Sequence, residues 1–155
     1  MRHAVLATIA FLLLVAAPAT AQPASPETAA VRRAVEQFLD DLGHRHLDAL
    51  PAQFAPKATM VVVRQRDGQW TTSHQTADEW LTALKAQTTS TVFREPLTSI
   101  TVHVESGRLA FLRADFTVVV EGEVRSHGVD YFTLVNDAGR WKLLNASYTS
   151  NPGAP

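Results

Sequence analysis

From Leu97 to Thr149 apolar and polar residues alternate with a period of two, broken only by short turn sequences. Side chains alternate between the faces of a strand, so such a run demands a succession of half-buried β-strands. Leu97 to Glu105 places Ile100, Val102 and Val104 on one face, and Ser106-Gly107 turns the chain. Leu109 to Val120 follows, with Ala110, Leu112, Ala114, Phe116 and Val118 on its even face. After Glu121-Gly122, Val124 to Val135 and Trp141 to Thr149 give two more strands joined through Asn136-Asp137-Ala138-Gly139. Residue–glycine pairs of this kind suit tight hairpins.

The preceding segment is mostly helical. Ser25-Pro26-Glu27 opens a helix with a capping hydroxyl, a proline at the first position and an acid at the positive end. Val31, Val35, Phe38, Leu39 and Leu42 form its apolar stripe, and Gly43 is expected to end it in the left-handed conformation. Leu47 to Phe54 reads as a second, shorter helix limited by Pro51, Ala58 to Arg64 as a strand, and Gln69 to Thr72 as its return after Arg66-Asp67-Gly68. Thr76-Ala77-Asp78-Glu79 is a capping box that starts a third helix ending near Ala86. Helices first and strands last predict an α+β domain, a cone-like curved antiparallel sheet packed against N-terminal helices. The open end of such a cone suits a small molecule.

Met1 to Ala21 has the three parts of a cleavable export signal: Arg2 and His3, an uncharged run from Ala4 to Ala17, and Ala19-Thr20-Ala21 after Pro18. The run is shorter than the roughly 20 residues a membrane span needs. The expected organisation is a signal at 1–21, a flexible lead at 22–26, a domain at 27–150 and a tail at 151–155, with the domain exported and periplasmic or secreted. Cleavage after Ala21 leaves 134 of the 155 residues, removes Arg2 from 14 basic residues against 15 acidic ones, and so gives a formal charge of −2. That balance offers no footprint for nucleic acid or an anionic membrane. With no cysteine, disulfides, zinc–thiolate sites and thiol catalysis are excluded.

Three passages resemble the nuclear transport factor 2-like superfamily, which includes SnoaL-like polyketide cyclases, ketosteroid isomerases, scytalone dehydratases and lumazine-binding-like proteins. They are Gly43 to Ala58, Ile100 to Ala110, and Ser126 to Tyr148, in which Gly128-Val129-Asp130 leads into Gly139-Arg140-Trp141-Lys142. The resemblance implies the cone fold and a homodimer through the sheet face. It does not fix the chemistry. Relatives often carry an acid after the proline where Lys57 stands, and Met60 to Val63 has no carboxylate in the region of the isomerases' general base. An isomerase of that type is therefore disfavoured.

Asp130 is the strongest polar candidate, because a mid-strand carboxylate must be paired, hydrogen-bonded or protonated if buried. Its alternatives are an acid–base or ligand role, with His127 as a second catalytic candidate, or a structural hydrogen bond to Tyr148. The candidate ligand-binding residues are Trp70, Trp80, Phe54, Tyr131 and Tyr148; Phe93 also suits a cavity wall, and Trp70 is nearest the expected mouth. Aromatics at this spacing equally suit a core. His103, Glu105, Arg113 and Asp115 are odd-numbered and belong on the outer face. His44 and His46 lack a third ligand, so no metal is expected.

The leading expectation is a domain that binds a small apolar or aromatic molecule without a cofactor, since ATP and reduced nicotinamide are scarce outside the cytoplasm. The alternatives are a cofactor-independent lyase, isomerase or cyclase using Asp130 or a histidine, and a protein-interaction module. A shielded Asp130 in a deep pocket beside another titratable group would favour the enzyme.

Overall fold

The computed structural model describes residues 25–88 and 91–155. The expected signal at 1–21 lies outside the described residues. No described helix is long and apolar enough to cross a membrane. Helix α1 (Pro26–Gly43) is followed by a single 3-10 turn (Leu50–Gln53), strands β1 (Phe54–Arg66) and β2 (Gln69–Thr76), helix α2 (Ala77–Ala86), and strands β3 (Leu97–Glu105), β4 (Leu109–Val120), β5 (Glu123–Asp137) and β6 (Arg140–Pro152).

Both helices start as their sequences require. The Ser25 side chain accepts from the Thr28 N–H, and Pro26 occupies the first turn. In the capping box of α2, Thr76 accepts from the Glu79 N–H at 3.2 Å, and Glu79 accepts from the Thr76 N–H at 2.8 Å.

The six strands form one sheet in the order β2-β1-β6-β5-β4-β3. It is mixed rather than wholly antiparallel: β1 pairs in parallel with β6. The helical crossover and the two outer hairpins bring the first and last strands together at the centre. The hairpins close on two residues of positive φ, as at Asp67 (51°) and Gly68 (76°), the geometry of primed turns. The even face of β4 (Ala110, Leu112, Ala114, Phe116) is buried with Phe132 and Leu134 of β5 against Val31, Val35 and Phe38 of α1. Each large side chain in this layer contributes about 1.5–3 kcal/mol by leaving water. His103, Glu105, Arg113 and Asp115 lie on the opposite face, where Arg113 Nη2 meets Asp115 Oδ1 at 2.6 Å.

Four local expectations are corrected. Gly43 does not have a positive φ; Arg45 does (60°). Glycine is needed at 43 because a Cβ there would collide with the Phe93 carbonyl oxygen. The second helix shrinks to the turn at Leu50–Gln53, since Pro51 stops it and Phe54 already enters β1. Residues 151 and 152 of the expected tail belong to β6, Ser126 pairing with Pro152. The proposed lead also ends early, because Ser25 and Pro26 are the cap and first residue of α1.

The turn after α1 is held by Asp41, which is 6% exposed. Its carboxylate accepts from Gln37 Nε2 at 3.0 Å and Gln53 Nε2 at 2.7 Å, and lies 3.0 Å from His46 Nδ1. Burial pushes this carboxyl up, but those hydrogen bonds and the His46 charge hold it below its ordinary value.

Candidate functional site

The concave face of the sheet and the two helices enclose a cavity of about 170 Å³. Its apolar walls come from α1 (Phe38, Leu39, Leu42), Trp80 of α2, Met60 of β1, and Phe116 and Phe132 of β4 and β5. Phe38 organises the wall: its ring centroid lies 6.2 Å from those of both Trp80 and Phe132. The polar lining is Arg64, Glu95, Ser126, Asp130, Tyr148 and Ser150. The five of these on strands all have even numbers, which places them on the core-facing side.

Asp130 is 2% exposed, and its Oδ2 is buried without a hydrogen-bond partner. Ala114 and Tyr148 flank it on the neighbouring strands. The Glu95 carboxyl hydrogen-bonds to Asp130. Two carboxyls in contact in an apolar space cannot both be ionised cheaply. Burial pushes Asp130 up to about 7, the hydrogen bond from Glu95 opposing the rise. Burial also pushes Glu95 well above its usual range, and the negative charge of Asp130 adds to the effect. The pair therefore retains a proton that two separate, solvated carboxyls would lose. Burial raises the Tyr148 phenol as well; Arg64 beside it opposes that shift, while Glu95 and Asp130 reinforce it.

Glu95 reaches the cavity from a strap, residues 93–96, that continues β3 along β4. The Arg94 N–H donates to the Val119 carbonyl at 2.9 Å and the Val119 N–H returns the bond at 2.8 Å. At the start of the strap the Phe93 N–H donates to the Gly43 carbonyl at 3.1 Å. Arg94 faces outward, whereas Phe93 and Glu95 line the cavity. Pro96 favours the extended conformation at Glu95.

Residues 26–149 match the protein family described as "Putative lumazine-binding". The chain belongs to this family. No curated protein sequence matches it. Solved structures show its cone. A protein described as a putative scytalone dehydratase from Novosphingobium aromaticivorans is 17% identical, with a TM-score of 0.64 over 80% of this chain and 83% of that one. A nuclear transport factor 2-like protein with a cystatin-like fold from the same organism is 15% identical, with a TM-score of 0.63 over 79% and 80%. A nuclear transport factor 2-like protein from Shewanella oneidensis is 14% identical, with a TM-score of 0.60 over 79% and 98%. This lumazine-binding-like chain thus has the nuclear transport factor 2-like fold.

Of the residues singled out in the sequence, the structure brings Asp130, Trp80 and Tyr148 to the cavity, together with Phe93. Trp70 is 54% exposed on the outermost strand, β2, so it is not at the cavity mouth. Phe54 packs edge-on against Phe38 and Trp80 from behind the wall. Tyr131 is 44% exposed on the outer face, beside Phe111 at 5.9 Å between centroids. His127 does not line the cavity; its Nδ1 lies 2.9 Å from the Gly153 carbonyl. Each of the last two has odd parity on β5, which turns it away from Asp130.

The sequence reading missed Glu95 and Arg64. Among the described residues no three His, Asp or Glu side chains converge as a metal site. His44 and His46 stack at 5.8 Å, each Nδ1 engaged by its own carboxylate, Asp40 and Asp41.

Proposed function

We propose that the cavity binds a small apolar or aromatic molecule bearing a carbonyl or hydroxyl group, and that the Asp130–Glu95 pair transfers protons on it without a cofactor. The observation that carries this reading is the buried carboxyl pair facing an apolar cavity, with one Asp130 oxygen left unpartnered. A purely binding protein gains little from such a pair, because burying carboxyls without full hydrogen bonding is costly. A general base works best near the pH at which it operates, and Asp130 sits there. The size suits one ring, since an apolar cavity of about 150 Å³ admits benzene.

In the simplest cycle, ionised Asp130 takes a proton from the carbon next to a substrate carbonyl while Glu95 donates its proton to the carbonyl oxygen. An enol results. Return of the Asp130 proton to another carbon isomerises the substrate; its delivery to a leaving hydroxyl dehydrates it, and reclosure of the carbonyl returns the proton to Glu95. The cavity is open rather than filled by its own aromatics, which argues against a pure interaction module.

Mass spectrometry of small molecules that copurify with the protein identifies the test substrate. General acid–base groups contribute at least about a hundredfold, so Asp130→Asn and Glu95→Gln should each lower turnover by that much or more. Turnover that survives both changes refutes the assignment.

We also propose that two copies pair through the outer face of the sheet, where Leu109, Phe111 and Tyr131 are exposed together. Light scattering should show a dimer that Tyr131→Glu converts to a monomer. The sequence of residues 1–21 further supports export, which N-terminal sequencing of the secreted or periplasmic protein checks by a start at Gln22.

A further inference from the structure

We infer that the ligand of this cavity carries a carboxylate, which Arg64 receives where the cavity opens into an outer vestibule. The inference rests on the cavity being a ligand site and adds the class of molecule.

Arg64 is one of three residues that line both spaces, with Trp80 and Tyr148. The two spaces therefore adjoin at these side chains. The inner end holds Asp130, which is almost completely buried, whereas Arg64 is exposed. The two sides of this junction therefore differ in chemistry. The inner one offers a proton donor and acceptor, and the outer one offers a cation.

Arg64 makes no ion pair among the described residues, and its side chain hydrogen-bonds to the neutral Tyr148 hydroxyl.

The rest of the vestibule is of the same character. Thr71 and Ser73 of β2, with Gln75 and Gln87, supply hydroxyls and amides, and no Asp or Glu lines it. All of these groups can donate a hydrogen bond, so the vestibule suits an anion. A single planar guanidinium matches a carboxylate, which accepts two parallel N–H bonds. The molecule that satisfies both ends has an apolar ring between Trp80 and the inner phenylalanines, an oxygen function towards Asp130 and Glu95, and a carboxylate towards Arg64. Arg64 stands between such a carboxylate and the acid pair, and its positive charge offsets the repulsion from any negative charge there.

Calorimetric titration with 4-hydroxybenzoate and with its uncharged analogue 4-hydroxybenzamide tests this. A hydrogen bond to a charged group contributes enough for about a tenfold difference in affinity. The native protein should prefer the carboxylate by about that factor. Arg64→Gln should abolish the preference, and Arg64→Lys should retain part of it. Arg66→Gln lies two residues on, lines neither space and should change nothing. Equal binding of the two probes by the native protein, or a preference that survives Arg64→Gln, overturns the carboxylate inference and leaves the cavity reading standing. Failure of both probes to bind overturns the inference together with that reading.

Discussion

The carboxyl pair makes the stability of the folded chain depend on pH in an unusual direction. Asp130 holds its proton up to about pH 7 in the folded protein, whereas an unfolded aspartate loses it near the ordinary value of 3.8. Between those values the folded state binds more protons than the unfolded state, so stability falls as pH rises. The contribution of Asp130 is fully present below the unfolded pKa and is lost as pH climbs through the folded one. Each pH unit in that interval is worth about 1.4 kcal/mol, so the passage from about pH 5 to about pH 8 should remove up to about 3 kcal/mol. Glu95 acts in the same direction, since burial raises it too. Relaxation of the cavity and entry of water reduce the sum, and a net loss of about 2–4 kcal/mol is expected. That is a large part of the roughly 5–15 kcal/mol a domain possesses. Urea midpoints measured across this range should fall for the native protein and fall much less for the double variant Asp130→Asn, Glu95→Gln. Histidines titrate in both proteins, so the difference between the two curves isolates the pair. Identical slopes for the two proteins would falsify the account, as would a double variant that is less stable than the native chain at about pH 8.

Asp41→Ala removes the common acceptor of Gln37 and Gln53 and should cost about 1–3 kcal/mol by urea unfolding. Because the Asp41 carboxyl is held low, its contribution is present above the unfolded pKa and should fade as pH falls through the folded value. Gly43→Ala pushes a methyl group into the Phe93 carbonyl and should destabilise by about 1–3 kcal/mol, seen as a lower Tm, with weaker binding of 4-hydroxybenzoate because the strap that carries Glu95 moves. Ser99→Val places a β-branched residue at a φ of 49° and should cost about 1–3 kcal/mol by the same thermal measurement; an unchanged Tm would argue that the strain is relieved elsewhere.

Local chemistry alone determined much of the architecture. The caps at Ser25 and Thr76 fall where the sequence places them, and the even face of β4 is buried as the alternation requires. Asp130 was recognisable because a carboxylate in a buried mid-strand position is expensive wherever it occurs. Tertiary structure decided its partner. Ile100, Val102 and Val104 put the even residues of β3 inward, and extending that parity backward would turn Glu95 out to solvent. A bulge at Ser99 prevents this. The register of β3 with β4 shifts between Thr98 and Thr101, Ser99 takes a positive φ, and Arg113 Nη1 donates to its carbonyl at 3.5 Å. One extra residue reverses the faces of everything before it, so Leu97, Glu95 and Phe93 point inward. The β1–β6 junction was likewise invisible in the pattern, because parallel pairing depends on where a crossover returns the chain rather than on which residues alternate. That junction sets Arg64 beside Ser150 and Val62 beside Tyr148, bringing the cation to the mouth of a cavity whose acids lie on β5 and the strap. The sequence alone settled which faces are apolar, since that follows from side-chain period. Only the folded chain could settle which polar groups meet, since that follows from register.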